Sequence, residues 1–201
     1  MKVLFSYFII CCFATTSFSQ NISYGILGGL NISNSDITVN HNGEISNRDY
    51  YDNRVSFYLG GNVQLPITLN KLDLILSFEL VYSQQGYTFE GTYETDVIEL
   101  NQLNLPITLK HEVFKNFYFG IGGYAGYILE VKGNLYGNNL DEYDLDLGVL
   151  SMVEYKIGKN LNIELKYLFG LSDVLNREFN DGEYKHNNFN RVLQIGLNYK
   201  F

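Results

Sequence analysis

Apolar and polar side chains alternate along most of this chain with a period of two. Late in the sequence Leu161, Ile163, Leu165, Tyr167, Phe169 and Leu171 share one face, while Asn162, Glu164, Lys166, Leu168, Gly170 and Ser172 share the other. An extended strand puts residues i and i+2 on the same side; a helix does not. The same alternation marks eight segments: Ile22–Ser33, Val55–Leu69, Leu72–Gln84, Gln102–Val113, Phe117–Lys132, Tyr143–Ile157, Leu161–Ser172 and Arg191–Phe201. Each has roughly the 9–11 residues, or a few more, that a tilted strand needs to cross a bilayer.

Alternation alone also fits a soluble antiparallel sheet with one face on a core. The connections separate the two cases. They are short around Asn70-Lys71, Phe114–Asn116 and Gly158–Asn160, and the intervening ones are long. A long link follows every short one, so in an up-and-down barrel all long loops fall at one rim. The expectation is therefore an all-β fold: an eight-stranded antiparallel up-and-down transmembrane β-barrel with short periplasmic turns and four long extracellular loops.

Charges collect on the face opposite the apolar one: Glu79, Lys110, Glu112, Glu130, Lys132, Asp144, Asp146, Glu154, Lys156, Glu164, Lys166 and Lys200. In a lipocalin-like soluble barrel they would be a solvated exterior; in a membrane barrel they would fill the lumen as a structural network of both signs. Aromatics favour the membrane. Tyr24, Phe117, Phe119, Tyr155, Tyr199 and Phe201 fall on the apolar face near the short-turn rim, with Phe57, Tyr82, Tyr127 and Phe169 toward the other. Two aromatic belts around an aliphatic band are what lipid interfaces select.

Composition narrows the classes further. With 46% apolar and 18% charged residues the chain is neither disordered nor collagen-like. A net charge of −8 without a Lys/Arg cluster argues against nucleic acid. Residues 1–19 combine Lys2, an apolar run from Val3 to Phe13 and small polar residues, and read as a secretory signal peptide. Ser17-Phe18-Ser19 fits the cleavage rule, leaving residues 20–201 as the barrel domain. Cys11 and Cys12 leave with that segment, so the mature chain has no disulfide or cysteine metal site.

The chain resembles the PorT-like outer-membrane β-barrel family. The resemblance rests on GILGGLNIS (Gly25–Ser33), LVYSQQGYTF (Leu80–Phe89), LNLPITLKH (Leu103–His111), FGIGGYAGYIL (Phe119–Leu129), LKYLFGLSDV (Leu165–Val174) and GLNYKF (Gly196–Phe201). It implies an eight-stranded barrel in the outer membrane of a Gram-negative cell. The founding member serves a protein-secretion machine, and that task does not transfer with the fold.

Candidate chemistry is sparse. Eight strands leave an interior that side chains can fill, so the mixed charges read as a plug. His111 lies on the lipid-facing parity without a serine beside it, and His41 and His186 fall in Asn- and Gly-rich loops. Asp141, Glu142, Asp144 and Asp146 lack a calcium-loop spacing. No catalytic residue, cofactor or metal is expected. Near-copies QLPITLN (Gln64–Asn70) and NLPITLK (Asn104–Lys110) place Pro66 and Pro106 on the lumen face, where each should bring a bulge or a pairing gap.

The loops Asn34–Asn53, Gln85–Asn101, Gly133–Glu142 and Asp173–Asn190 are acidic, Asn-rich and studded with Tyr and Phe. They suit docking of an extracellular or envelope protein partner, or serve as soluble caps. Tyr199 and Phe201 close an alternating last strand, like the signal by which barrels are handed to their insertion machinery. The expectation is a monomeric, non-enzymatic protein of the cell outer membrane that contacts outer-membrane lipid and does not bind nucleic acid. A narrow pore, a lipid-modifying enzyme and a lipocalin-like binder are the alternatives.

Overall fold

The computed structural model describes residues 22–41, 44–47, 51–69, 71–90, 95–133, 141–142, 145–179 and 184–201. Eight strands form the wall: β1 (Ser23–His41), β2 (Tyr51–Leu69), β3 (Leu72–Glu90), β4 (Thr95–Phe114), β5 (Phe117–Lys132), β6 (Leu145–Lys156), β7 (Leu161–Gly170) and β8 (Tyr184–Lys200). Each pairs antiparallel with its neighbour in sequence. β1 then pairs with β8, from Gly25↔Lys200 to His41↔Tyr184, and closes the ring. Three shorter strands, Glu44–Asn47, Asp141–Glu142 and Leu175–Phe179, lie in the long connections. The signal-peptide segment lies outside the described residues.

The side chains point as the alternation requires. Ile26, Leu30, Leu59, Leu80, Leu105, Ile121, Leu147, Ile163 and Ile195 are exposed on the outer surface. Gln64, Ser77, Glu79, Lys110, Glu154, Glu164 and Lys166 are buried inside. An outward apolar band this broad has no water-stable counterpart, whereas lipid is its natural solvent. The inverted, lipocalin-like orientation is thereby excluded.

Both aromatic belts are in place. At the short-turn rim Tyr24, Phe119, Tyr155, Tyr199 and Phe201 are exposed, and Tyr199 meets Phe201 edge-on at 5.5 Å. Phe201 N–H donates to Tyr24 O across the seam at 2.9 Å. At the long-loop rim Phe57 and Tyr82 lie 5.9 Å apart, and the Arg191 guanidinium covers the Phe169 ring at 3.6 Å.

Four strands run well beyond their alternating stretches at the long-loop rim. β1 continues to His41, β3 to Glu90, β4 begins at Thr95 and β8 at Tyr184. Much of the expected loop sequence is therefore strand, and His41 and His186 are strand residues. The excess is invisible to hydropathy because both faces are wet once the wall leaves the bilayer. The β3–β4 connection shrinks to residues 91–94.

The prolines behave differently from one another. At Pro106 the β3–β4 ladder lacks the pairs between Phe78↔Ile107 and Val81↔Asn104, the expected gap. At Pro66 the β2–β3 ladder is unbroken, and β1 ends opposite Gln64. Pro66 overhangs the end of β1, so its missing N–H costs no ladder bond there, and no bulge forms.

One glycine is required by conformation. Gly86 in β3 has φ 128°, and a Cβ there would collide with the Ile98 carbonyl. We predict that Gly86→Ala lowers the thermal unfolding midpoint, at a cost of about 1–3 kcal/mol. Gly61→Ala, whose Cβ would have its nearest neighbour at 3.5 Å, leaves the midpoint unchanged. Equal midpoints for the two variants would remove the conformational argument.

Candidate functional site: the barrel lumen

Because every second residue of eight strands points inward, the lumen is a column of side chains set by strand register. Toward the short-turn rim, Glu154 of β6 is the hub. Lys110 Nζ (β4) donates to its Oε2 at 2.8 Å, and Lys200 Nζ (β8) and Asn162 Nδ2 (β7) donate to its Oε1 at 2.7 and 2.5 Å. Further in, Lys166 Nζ of β7 joins Glu164 Oε1 at 3.0 Å and Glu79 Oε2 of β3 at 2.5 Å. Tyr58 OH of β2 donates to Glu164 Oε1 at 3.1 Å. The Lys166–Glu79 pair thus links strands on opposite sides of the ring.

Isolated charges in such a space would be costly, and removal of one partner leaves an uncompensated ion. Here Glu79, Glu154 and Glu164 each meet a lysine. Three apolar clusters interrupt the polar column. Leu27, Tyr58 and Val81 form one; Tyr124, Leu150, Leu168 and Val192 form a second. A third, at the long-loop end, packs Tyr87, Ile98, Leu100, Ile128 and Val174, with Val131 against it. Val174 reaches that cluster from the segment after β7 and is completely buried. Between the second and third clusters Asp146 accepts from Tyr124 OH at 3.2 Å and from Asn190 Nδ2 at 2.8 Å.

The expected network is thus brought together only in part. Glu79, Lys110, Asp146, Glu154, Glu164, Lys166 and Lys200 line the interior. Lys156 is half-buried at the short-turn rim. Glu112 is exposed there and accepts the Asn116 N–H at 2.8 Å, which closes the β4–β5 turn.

Glu130 and Lys132 face outward, against expectation. In the β4–β5 ladder Asn101 opposes Glu130 while Gln102 opposes Ile128, so Leu129 is a bulged extra residue. Beyond it the parity of β5 reverses: Val131 turns in to the apolar cluster and Glu130 and Lys132 turn out. There they pair at 3.0 Å, and Asn101 Nδ2 donates to Glu130 at 3.2 Å. Asp144 lies outside the described residues, as do the side chains of Asp141, Glu142, His41 and His186.

Tyr58, Tyr124, Asn162, Asn190 and Asn198 belong to the lumen site and escaped the sequence reading. The inward parity of Tyr58, Tyr124, Asn162 and Asn198 is legible, but a charge-based search passes over neutral donors; Asn190 falls in a segment read as loop. His111 is engaged by the backbone, its Nδ1 lying 3.0 Å from Asp73 O. Among the described residues no group of three or more His, Cys, Asp or Glu side chains could hold a metal.

One family model fits this architecture. Residues 18–176 match the family model described as "Outer membrane protein beta-barrel domain". Neisserial surface protein A is 13% identical, with a TM-score of 0.49, covering 90% of this chain and 100% of that one. The outer membrane protein AlkL in lipid bilayers is 14% identical with a TM-score of 0.49, covering 88% of this chain and 90% of that one. Ail of Yersinia pestis, in complex with the heparin analogue sucrose octasulfate, is 15% identical with a TM-score of 0.38, covering 88% and 99%. A search of curated proteins gives no match.

Lys166→Met should destabilise the folded barrel by about 3–5 kcal/mol, because Glu79 and Glu164 are left unpaired. Adding Glu79→Gln and Glu164→Gln to that variant recovers much of the loss, measured by urea unfolding in lipid vesicles. An equal loss in the single and triple variants would show that packing of the lysine stem, not charge pairing, matters there.

Proposed function

We propose a function for this chain from one premise: it belongs to the outer membrane protein beta-barrel domain family and resides in the outer membrane. The proposed role is that of a non-enzymatic barrel whose working surface is its long-loop rim. There it contacts an extracellular or envelope protein partner, or assists envelope assembly or secretion.

The observation that carries the reading is the filling of the lumen. Three apolar clusters and lysine-paired carboxylates occupy the interior of the described barrel. A conducting pore needs a wet path from rim to rim, and this column leaves specificity to the surface instead. Strands β1 and β8 extend past the apolar band and raise the acidic, Tyr- and Asn-rich segments above the membrane. The engagement of His111 with a backbone carbonyl supports the non-enzymatic reading.

Two further proposals concern delivery. Residues 1–19 act as a signal peptide removed before Gln20. Tyr199 and Phe201, stacked at the β1–β8 seam, present the aromatic edge that the insertion machinery takes up.

Planar-bilayer recordings of folded protein should give no discrete openings; reproducible ion-selective openings would replace this reading with the narrow pore. Shortening residues 42–50 and 175–183 should leave membrane insertion intact while abolishing crosslinks to envelope proteins in living cells. Retention of all crosslinks would sink the rim assignment. Replacing Tyr199 and Phe201 together by Ala should reduce the inserted amount, read on a heat-modifiability gel, and unchanged insertion would count against the delivery role.

A further inference from the structure

We propose that the lumen between the second and third apolar clusters holds a binding site for a monovalent alkali cation, formed by the Asp146 carboxylate and the amide oxygens of Gln102 and Asn104. The site is bounded by neighbours along each strand. On its outer side stand Leu100 and Ile128 of the third apolar cluster. On its inner side stand Tyr124, Leu150 and Val192 of the second.

Charge is the first argument. Four carboxylates are fully buried among the described residues: Glu79, Asp146, Glu154 and Glu164. The three glutamates each form an ion pair with a lysine. Asp146 forms none among the described residues, and its partners are the neutral Tyr124, Asn190, Ser172 and Gln102. An uncompensated charge in a closed, low-dielectric space is strongly unfavourable, and an intramembrane ionisable group without a partner marks a site.

The second argument is independent of charge. Asn104 is 1% exposed, yet its amide has no hydrogen-bond partner at its oxygen or its nitrogen. Turning that amide over would change nothing, since both atoms are unpartnered. Both oxygens converge on Gly126 of β5, and the Asp146 Cβ lies against the same point. Gly126 pairs directly with Asp146, and its missing side chain is what lets the two amide oxygens approach the backbone there. A proton on Asp146 would neutralise the charge, but its single O–H answers one amide oxygen at most. A cation answers the charge and both oxygens. One carboxylate among neutral oxygen donors matches a single positive charge and a hard ion, whereas a divalent ion calls for more anionic ligands.

The test uses folded protein in detergent micelles, with sodium chloride compared against choline chloride at equal ionic strength. Thermal unfolding midpoints should be higher in sodium and rise with the logarithm of its concentration, as ligand linkage requires. Asp146→Asn should lose the sodium-dependent shift. Asn104→Leu, which leaves the carboxylate in place, should lose it as well and carries the test if Asp146→Asn fails to fold. Equal midpoints in the two salts would overturn the site, as would a sodium shift that survives Asp146→Asn. An infrared protonated-carboxyl band that vanishes in Asp146→Asn would also overturn it, because a proton would then hold the cation's place.

Discussion

In hydrocarbon no water can satisfy a backbone N–H or C=O, so the sheet has to close on itself. The β1–β8 seam meets that requirement here, running from Gly25↔Lys200 to His41↔Tyr184. Every other feature follows from this closure at eight strands. The ring has no free edge in the lipid, and its interior is narrow enough for side chains to span. With each strand alternating, one face is committed to lipid and the other to a confined polar space.

That space explains the chemistry within. Eight strands give too little room for bulk water to solvate ions, so charges are held by opposite charges. Lys166 reaches Glu164 on its own strand and Glu79 on the opposite wall, while Glu154 gathers Lys110 and Lys200 from two sides. The apolar clusters fill what the ionic groups leave open. The result is a packed post inside a lipid-facing wall, which places any selective contact with a partner at the rim.

The lumen's chemistry was legible where it depends on local parity. Glu79, Lys110, Asp146, Glu154, Glu164 and Lys166 were assigned to the interior from alternation alone, and each is buried there. Glu130 and Lys132 were assigned by the same rule and face outward, because a bulge at Leu129 resets the count. A bulge has no signature in a hydropathy pattern. Pro66 and Pro106 show the same limit: near-identical sequences, with a pairing gap at Pro106 and none at Pro66, which overhangs the end of β1. The outer ends of β1, β3, β4 and β8 went unseen because alternation stops when both faces are wet.

By itself the sequence determined the period, the eight crossings, the apolar exterior and the aromatic belts. All are properties of side chains two residues apart or of segments in order, and the choice of lipid as solvent follows from them. The tertiary structure alone decided which charges meet. Glu79 and Lys166 are separated by 87 residues and joined by strand number and stagger, which no local period encodes. It also decided that Asp146 stands without a lysine among the described residues, beside an Asn104 amide that has no partner. Pairing across a lumen depends on where a ring closes, and closure is a property of the whole chain.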